Sequence, residues 1–119
     1  MPPQPGATAT LDGRWTATIR YDWGETHPEV FEFEVDGQEV YGTASYLRTR
    51  RAIQDGRISG NRVSFVTQSR EMLGGRDEIR MVTHRYRGTL DGGVIRFTLD
   101  SGGHSFHEPV RFEARRATP

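Results

Sequence analysis

Hydrophobic and polar residues alternate along most of this chain in short segments, the period-two pattern of half-buried β-strands. Over residues 14–23, Trp15, Ala17, Ile19, Tyr21 and Trp23 share one face, and Arg14, Thr16, Thr18, Arg20 and Asp22 the other. Residues 29–35 turn Phe31, Phe33 and Val35 inward and Val30, Glu32 and Glu34 outward. Asp36-Gly37 predicts a tight hairpin, with Val40 opposite Phe33 and Gly42 opposite Phe31, and with Ala44 and Tyr46 continuing the inner face. After a basic loop over 47–51, the inward positions are Gln54, Gly56 and Ile58, then Val63, Phe65, Thr67 and Ser69. A longer, glycine-broken loop over 70–77 leads to His84, Tyr86, Gly88 and Leu90, then Ile95, Phe97 and Leu99. The final segment aligns Phe106, Glu108, Val110, Phe112 and Ala114; Pro109 predicts a bulge there, because proline cannot donate within a closed ladder.

One unit recurs. Gly56, Ile58, Gly60, Val63 and Phe65 are matched in the same spacing by Gly88, Leu90, Gly92, Ile95 and Phe97. Each copy reads as strand, two-residue glycine turn and returning strand, with an aromatic laid over a glycine, a device that curves a sheet. Tight turns at Asp36-Gly37, Gly60-Asn61 and Gly92-Gly93 alternate with longer loops at the opposite end. The fold class that follows is all-β: an eight-stranded antiparallel up-and-down barrel, closed at the tight-turn end, with a sandwich as the alternative.

Composition narrows the chemistry. The 119 residues suffice for one domain, expected over 12–116, with a disordered lead-in over 1–11 and a loose tail over 117–119. The lead-in has no apolar core like that of a signal peptide, so the expected compartment is the cytoplasm, export with a signal already removed being the alternative. No apolar run approaches the roughly 18–20 residues of a membrane helix. Cysteine and lysine are both absent, which excludes disulfides, thiol nucleophiles and Schiff-base chemistry; all 16 basic residues are arginine. The net charge of zero argues against a general polyanion binder, so neither nucleic acid nor membrane is an expected partner. A monomer or weak homodimer is expected.

The Gly13-Arg14-Trp15 triplet resembles the G-x-W signature of calycin-type barrels: lipocalins, fatty-acid-binding proteins and avidins. In those families the tryptophan closes the narrow end, and here Trp15 falls at the end of the three tight turns. The phrases Gly42-Thr43, 55–58 and 60–65 are similar to those of small bacterial lipocalin-like domains of unassigned function. The resemblance implies a barrel with an open end. It does not imply biotin binding, because no tryptophan follows Trp23.

The inward face changes character along the barrel. Trp15, Val35, Val40, Ile58, Val63, Leu90, Ile95 and Phe112 suit a packed plug. At the other end the candidate ligand-binding residues are Tyr21, Trp23, Phe31, Tyr46, Gln54, Thr67, His84, Tyr86, Phe106 and Glu108: aromatic walls with a few hydrogen-bonding groups, as a binding pocket requires. The expected function is non-catalytic binding of a small hydrophobic or aromatic molecule. One alternative is proton-transfer chemistry (isomerase, cyclase or hydrolase) with His84 and Glu108 as the acid/base pair. A second is a protein-interaction or inhibitor-type barrel that uses its loops or an outer wall rich in arginine. No cofactor is expected, and no metal: His104 and His107, three apart on a strand, point to opposite faces and converge only through the bulge, a surface site with His27 at the same rim being the alternative.

Overall fold

The computed structural model describes residues 11–21, 24–73, 78–102 and 109–117. All regular structure in them is strand: β1 (Gly13–Arg20), β2 (Thr26–Asp36), β3 (Glu39–Tyr46), β4 (Thr49–Ala52), β5 (Gln54–Ser59), β6 (Arg62–Leu73), β7 (Glu78–Asp91), β8 (Val94–Gly102) and β9 (Val110–Arg116). Neighbouring strands pair antiparallel, β4 and β5 both pairing with β3 rather than with each other, and β1 pairs with both β2 and β9, which closes the sheet on itself. β4 and β5 together form one stave. They are separated only by Ile53, whose N–H still reaches the Gly42 carbonyl of β3 at 3.0 Å. The molecule is therefore an eight-stave closed up-and-down barrel, as the alternation predicts, with no helix among the described residues able to cross a membrane.

The closed end follows from its turns. Gly37, Gly60 and Gly92 have φ of 64°, 60° and 64° and are followed by a residue with ordinary φ. This is glycine at the first central position, as in a type II′ hairpin. Two of these turns fall where the sequence predicts them, with Ile58 opposite Val63 and Leu90 opposite Ile95. The first is displaced by one residue: its centre is Gly37-Gln38, so Val35 faces Val40, Phe33 faces Gly42 and Phe31 faces Ala44. The slip moves each partner by two positions and leaves every side chain on its expected face.

The aromatic-over-glycine pairing holds at one of three places. A Cβ on Gly88 would lie 2.7 Å from the Phe97 ring. Gly42 instead serves the backbone: its φ is +135°, and a Cβ there would lie 1.9 Å from the Glu32 carbonyl oxygen. At the third place the ladder bulges, Asp55 (φ 53°) and Gly56 together standing opposite Phe65. The expected bulge at Pro109 is replaced by a simpler arrangement, in which Pro109 precedes the first residue of β9 and removes no ladder bond.

Trp15 is fully buried at the closed end, its Nε1 donating to the Leu11 carbonyl (2.9 Å) and the Arg116 guanidinium lying 4.5 Å over its ring. Above it Phe31, Phe33, Phe65, Tyr86, Phe97 and Phe112 fill the waist, with ring centroids from 4.6 Å (Phe65–Tyr86) to 6.5 Å (Phe31–Phe65). Eight staves leave room for about this much interior, and such aromatic pairs add about 0.5–1.5 kcal/mol each beyond area burial.

The two glycines separate by what their new methyl group would strike. Gly88→Ala should cost roughly 1–3 kcal/mol, since an aromatic ring can shift. Gly42→Ala should cost more, since both φ and a neighbouring carbonyl oppose it. Urea denaturation of the two variants checks the order.

Candidate functional site

The open half of the barrel is organised around a residue that the alternation already places inside. Glu29 shares its face with Phe31 and is 1 % exposed. The β2–β3 ladder ends at Phe31 and Ala44, and beyond that point side chains replace backbone pairing. Ser45 Oγ accepts from the Val30 N–H (2.8 Å) and donates to Glu29 Oε1 (2.6 Å). The Leu47 N–H donates to Glu29 Oε2 (2.7 Å) and the Arg48 N–H to Oε1 (2.9 Å), while the Tyr21 hydroxyl donates to Oε2. Four donors thus converge on one buried carboxylate.

Two of those donors belong to a strained turn. Leu47 and Arg48 have φ of 52° and 65° and connect Tyr46 to its ladder partner Thr49. Positive φ at both central residues is the type I′ pattern, which favours Asn-Gly. Holding two bulky residues there costs roughly 1–2 kcal/mol each. Charge-assisted bonds from both N–H groups to Glu29 offset that cost.

A belt of rings and hydroxyls crosses the barrel from this carboxylate. The Tyr21 ring stands edge-on to Tyr46 at 5.3 Å, and Tyr46 lies 4.0 Å from the ring of the fully buried His84. The Ser69 and Ser101 hydroxyls each lie 2.7 Å from a His84 ring nitrogen, Ser69 at Nε2 and Ser101 at Nδ1. Both nitrogens are therefore engaged, one hydroxyl donating and the other accepting when the ring is neutral.

Tyr86, Thr67 and Arg51 complete the site. Burial pushes the Tyr86 hydroxyl well above the usual tyrosine range, Glu29 adding to the rise while Thr67 and Arg51 oppose it. Burial, with the hydrogen bond to Glu29, does the same to Tyr21. Arg51 is paired with the inward Ala44, and its Nη1 reaches the Gln68 carbonyl of β6 (3.3 Å). The Arg51 Nε, the Thr67 hydroxyl and the Tyr86 hydroxyl are all buried, and among the described residues no group meets strict hydrogen-bond geometry with any of them, although the Thr67 hydroxyl is near enough to the Tyr86 phenol to oppose its rise. Unpartnered polar atoms in a protein interior are uncommon. Here two of them, on Arg51 and Thr67, accompany a third, the Tyr86 phenol.

Tyr21, Tyr46, Thr67, His84 and Tyr86 therefore stand together at the open end, as the alternation predicts. Phe31 is also inward, but it packs in the waist against five other rings. Gln54 corrects the reading: it is exposed, because the bulge at Asp55 and Gly56 interrupts the alternation along β5. Trp23, Phe106 and Glu108 lie outside the described residues, as do His104 and His107. His27 stands at the rim, its ring 5.9 Å from Tyr21 and its Nε2 3.9 Å from Glu25. No group of three His, Asp or Glu suited to a metal occurs among the described residues. Sequence reasoning missed Glu29 and Arg51, although the position of Glu29 two residues before Phe31 was a sufficient signal.

Glu29→Gln should lower stability by roughly 2–4 kcal/mol in urea denaturation, because an amide nitrogen would then face N–H donors. Replacing Leu47 with Asn and Arg48 with Gly should recover about 1 kcal/mol in that background, since the Asn-Gly turn carries less strain. Alkaline pH tests the two phenols. Their folded-state values lie above the unfolded value of about 10. The stability this contributes is complete below about pH 10 and is lost as pH rises beyond it. Tyr86→Phe should flatten the fall in the urea midpoint above that pH.

Compared with known protein families, curated proteins and solved structures, the chain matches none; its closed eight-stave barrel is compatible with a calycin-like architecture.

Proposed function

We propose that the barrel binds a small molecule without transforming it, the ligand's aromatic or apolar body lying among Tyr21, Tyr46 and Tyr86 and an oxygen acceptor meeting Arg51, Thr67 and Tyr86. The observation that carries this reading is that, of the four buried side-chain atoms without a partner among the described residues, three belong to Arg51, Thr67 and Tyr86. An arginine N–H only donates, and the two hydroxyls can both donate, so a carbonyl or carboxylate oxygen satisfies all three. Aromatic walls with a few convergent polar groups are the usual make-up of a small-molecule site. The barrel's compatibility with calycin-type architecture supports the same reading. The acid/base alternative receives less support, since both His84 nitrogens are occupied by serine hydroxyls.

A thermal-shift panel of small aromatic carboxylates and amides tests the proposal. At a ligand concentration a hundredfold above Kd, stabilisation should approach about 2.7 kcal/mol. Thr67→Val and Arg51→Leu should each weaken the shift. If no compound raises Tm, and Thr67→Val and Tyr86→Phe each stabilise the protein, the three atoms are a packing defect and the reading fails.

A further inference from the structure

The outer wall of β5 to β9 carries an independent pattern. Across one row of paired positions the exterior reads Ser59, Arg62, Thr89, Arg96 and Glu113. Across the next it reads Arg57, Ser64, Arg87, Thr98 and Arg111. Arginine alternates with a small hydroxyl residue along the second row and along the first as far as Arg96, where Glu113 ends it, and the rows are offset so that each arginine sits diagonal to the next. Diagonal neighbours on a sheet face are about 7–8 Å apart. The result is a zigzag of arginines, Arg57–Arg62–Arg87–Arg96–Arg111, with the small side chains leaving space between them. Arg57, Arg62, Arg87 and Arg96, with the intervening hydroxyls, line an open groove of about 550 Å³ on this wall.

The charge in this groove is only partly compensated. Arg87 pairs with Asp100 (3.1 Å), and Arg96 with Asp91 (2.9 Å) and Glu113 (3.5 Å). Arg57, Arg62 and Arg111 are exposed and make no ion pair with any described acidic residue. A chain that is neutral by count therefore has a local cationic field on one wall.

We propose that this wall docks a short, extended acidic segment of a partner protein. In an extended peptide, side chains on one face recur every two residues, about 6.6–6.8 Å apart, while successive arginines advance about 4.8 Å per strand across the wall, a difference that long, flexible arginine side chains can span. Guanidinium groups take carboxylates in two-point contacts, and the serine and threonine hydroxyls between them are free to meet the peptide backbone. Two features select a peptide over a single-stranded nucleic acid. The described exterior of β5 to β9 presents no aromatic side chain on which bases would stack. Carboxylates at Asp91, Asp100 and Glu113 also bound the cationic zone, so a long phosphate backbone running past it would meet like charge.

Fluorescence anisotropy with a labelled peptide of alternating Glu and Ser, at low ionic strength, tests the proposal. The peptide should bind saturably and weaken as salt rises. The Arg57→Gln, Arg62→Gln double variant should bind roughly tenfold more weakly. Arg20→Gln, exposed on β1, should bind as the parent does. Circular dichroism confirms that the variants remain folded, as expected for exposed side chains. Absence of binding, equal binding by the double variant, or tighter binding and displacement by oligothymidylate would each overturn the assignment.

Discussion

A carboxylate held in a protein interior must have its lone pairs satisfied, or it destabilises the fold by several kcal/mol. Glu29 meets that demand with four donors drawn from two separated pieces of chain: Tyr21 just after β1, and residues 45–48 at the end of β3 and in the turn after it. Satisfying it determines much of the open end. The β2–β3 ladder stops where the carboxylate takes over, and the turn after β3 adopts a conformation its own residues disfavour. Tyr21 and Tyr46 are thereby held in the edge-on arrangement that presses Tyr46 against His84. The shape of the site is therefore a consequence of where one acidic side chain lies, and a loss there spreads to each of these contacts.

The interior divides into two media. The waist of rings is close-packed and apolar, and polar atoms at its upper boundary cannot exchange hydrogen bonds with bulk water. This is why Tyr86 matters: its ring belongs to the waist, stacked 4.6 Å from Phe65, and its hydroxyl belongs to the belt above. Low polarisability around such groups raises both the benefit of pairing them and the penalty for leaving them alone. By contrast, His84 is matched on both sides, by Ser69 and Ser101.

Alternation made the fold legible because facing has a period of two, and errors of two positions do not disturb it. The misplaced hairpin at Gly37 changed every partner between β2 and β3 yet left Phe31, Phe33 and Val40 inside. An error of one position is different in kind. The bulge at Asp55 and Gly56 is such an error, and it put Gln54 on the wrong side. Nothing in the letters around it announces a bulge except an Asp-Gly pair, which reads equally well as an ordinary strand entry. Arg51 was hidden for a related reason: the fourth stave is broken at Ile53, so β4 looks like loop from sequence. Glu29 was hidden by expectation alone, since hydrophobic patterning passes over a charged residue even where the parity includes it.

The two proposed sites, inside and outside the barrel, differ in their electrostatics, which makes the proposals separable by experiment. Exposed arginines on the wall interact through solvent, and about 0.1 M salt screens charges beyond roughly 10 Å. The groups around Tyr86 are shielded from ions by the waist and the belt, so contacts made there are screened far less. Coupling between the two sites would have to pass through the strands, and the inward and outward side chains of β6 and β7 do share a backbone: Thr67 and His84 face in, Ser64 and Arg87 face out. A ladder of antiparallel hydrogen bonds resists the sliding that would transmit one site's occupancy to the other. The inward and outward faces of this one rigid wall therefore present two different electrostatic environments that need not exchange information.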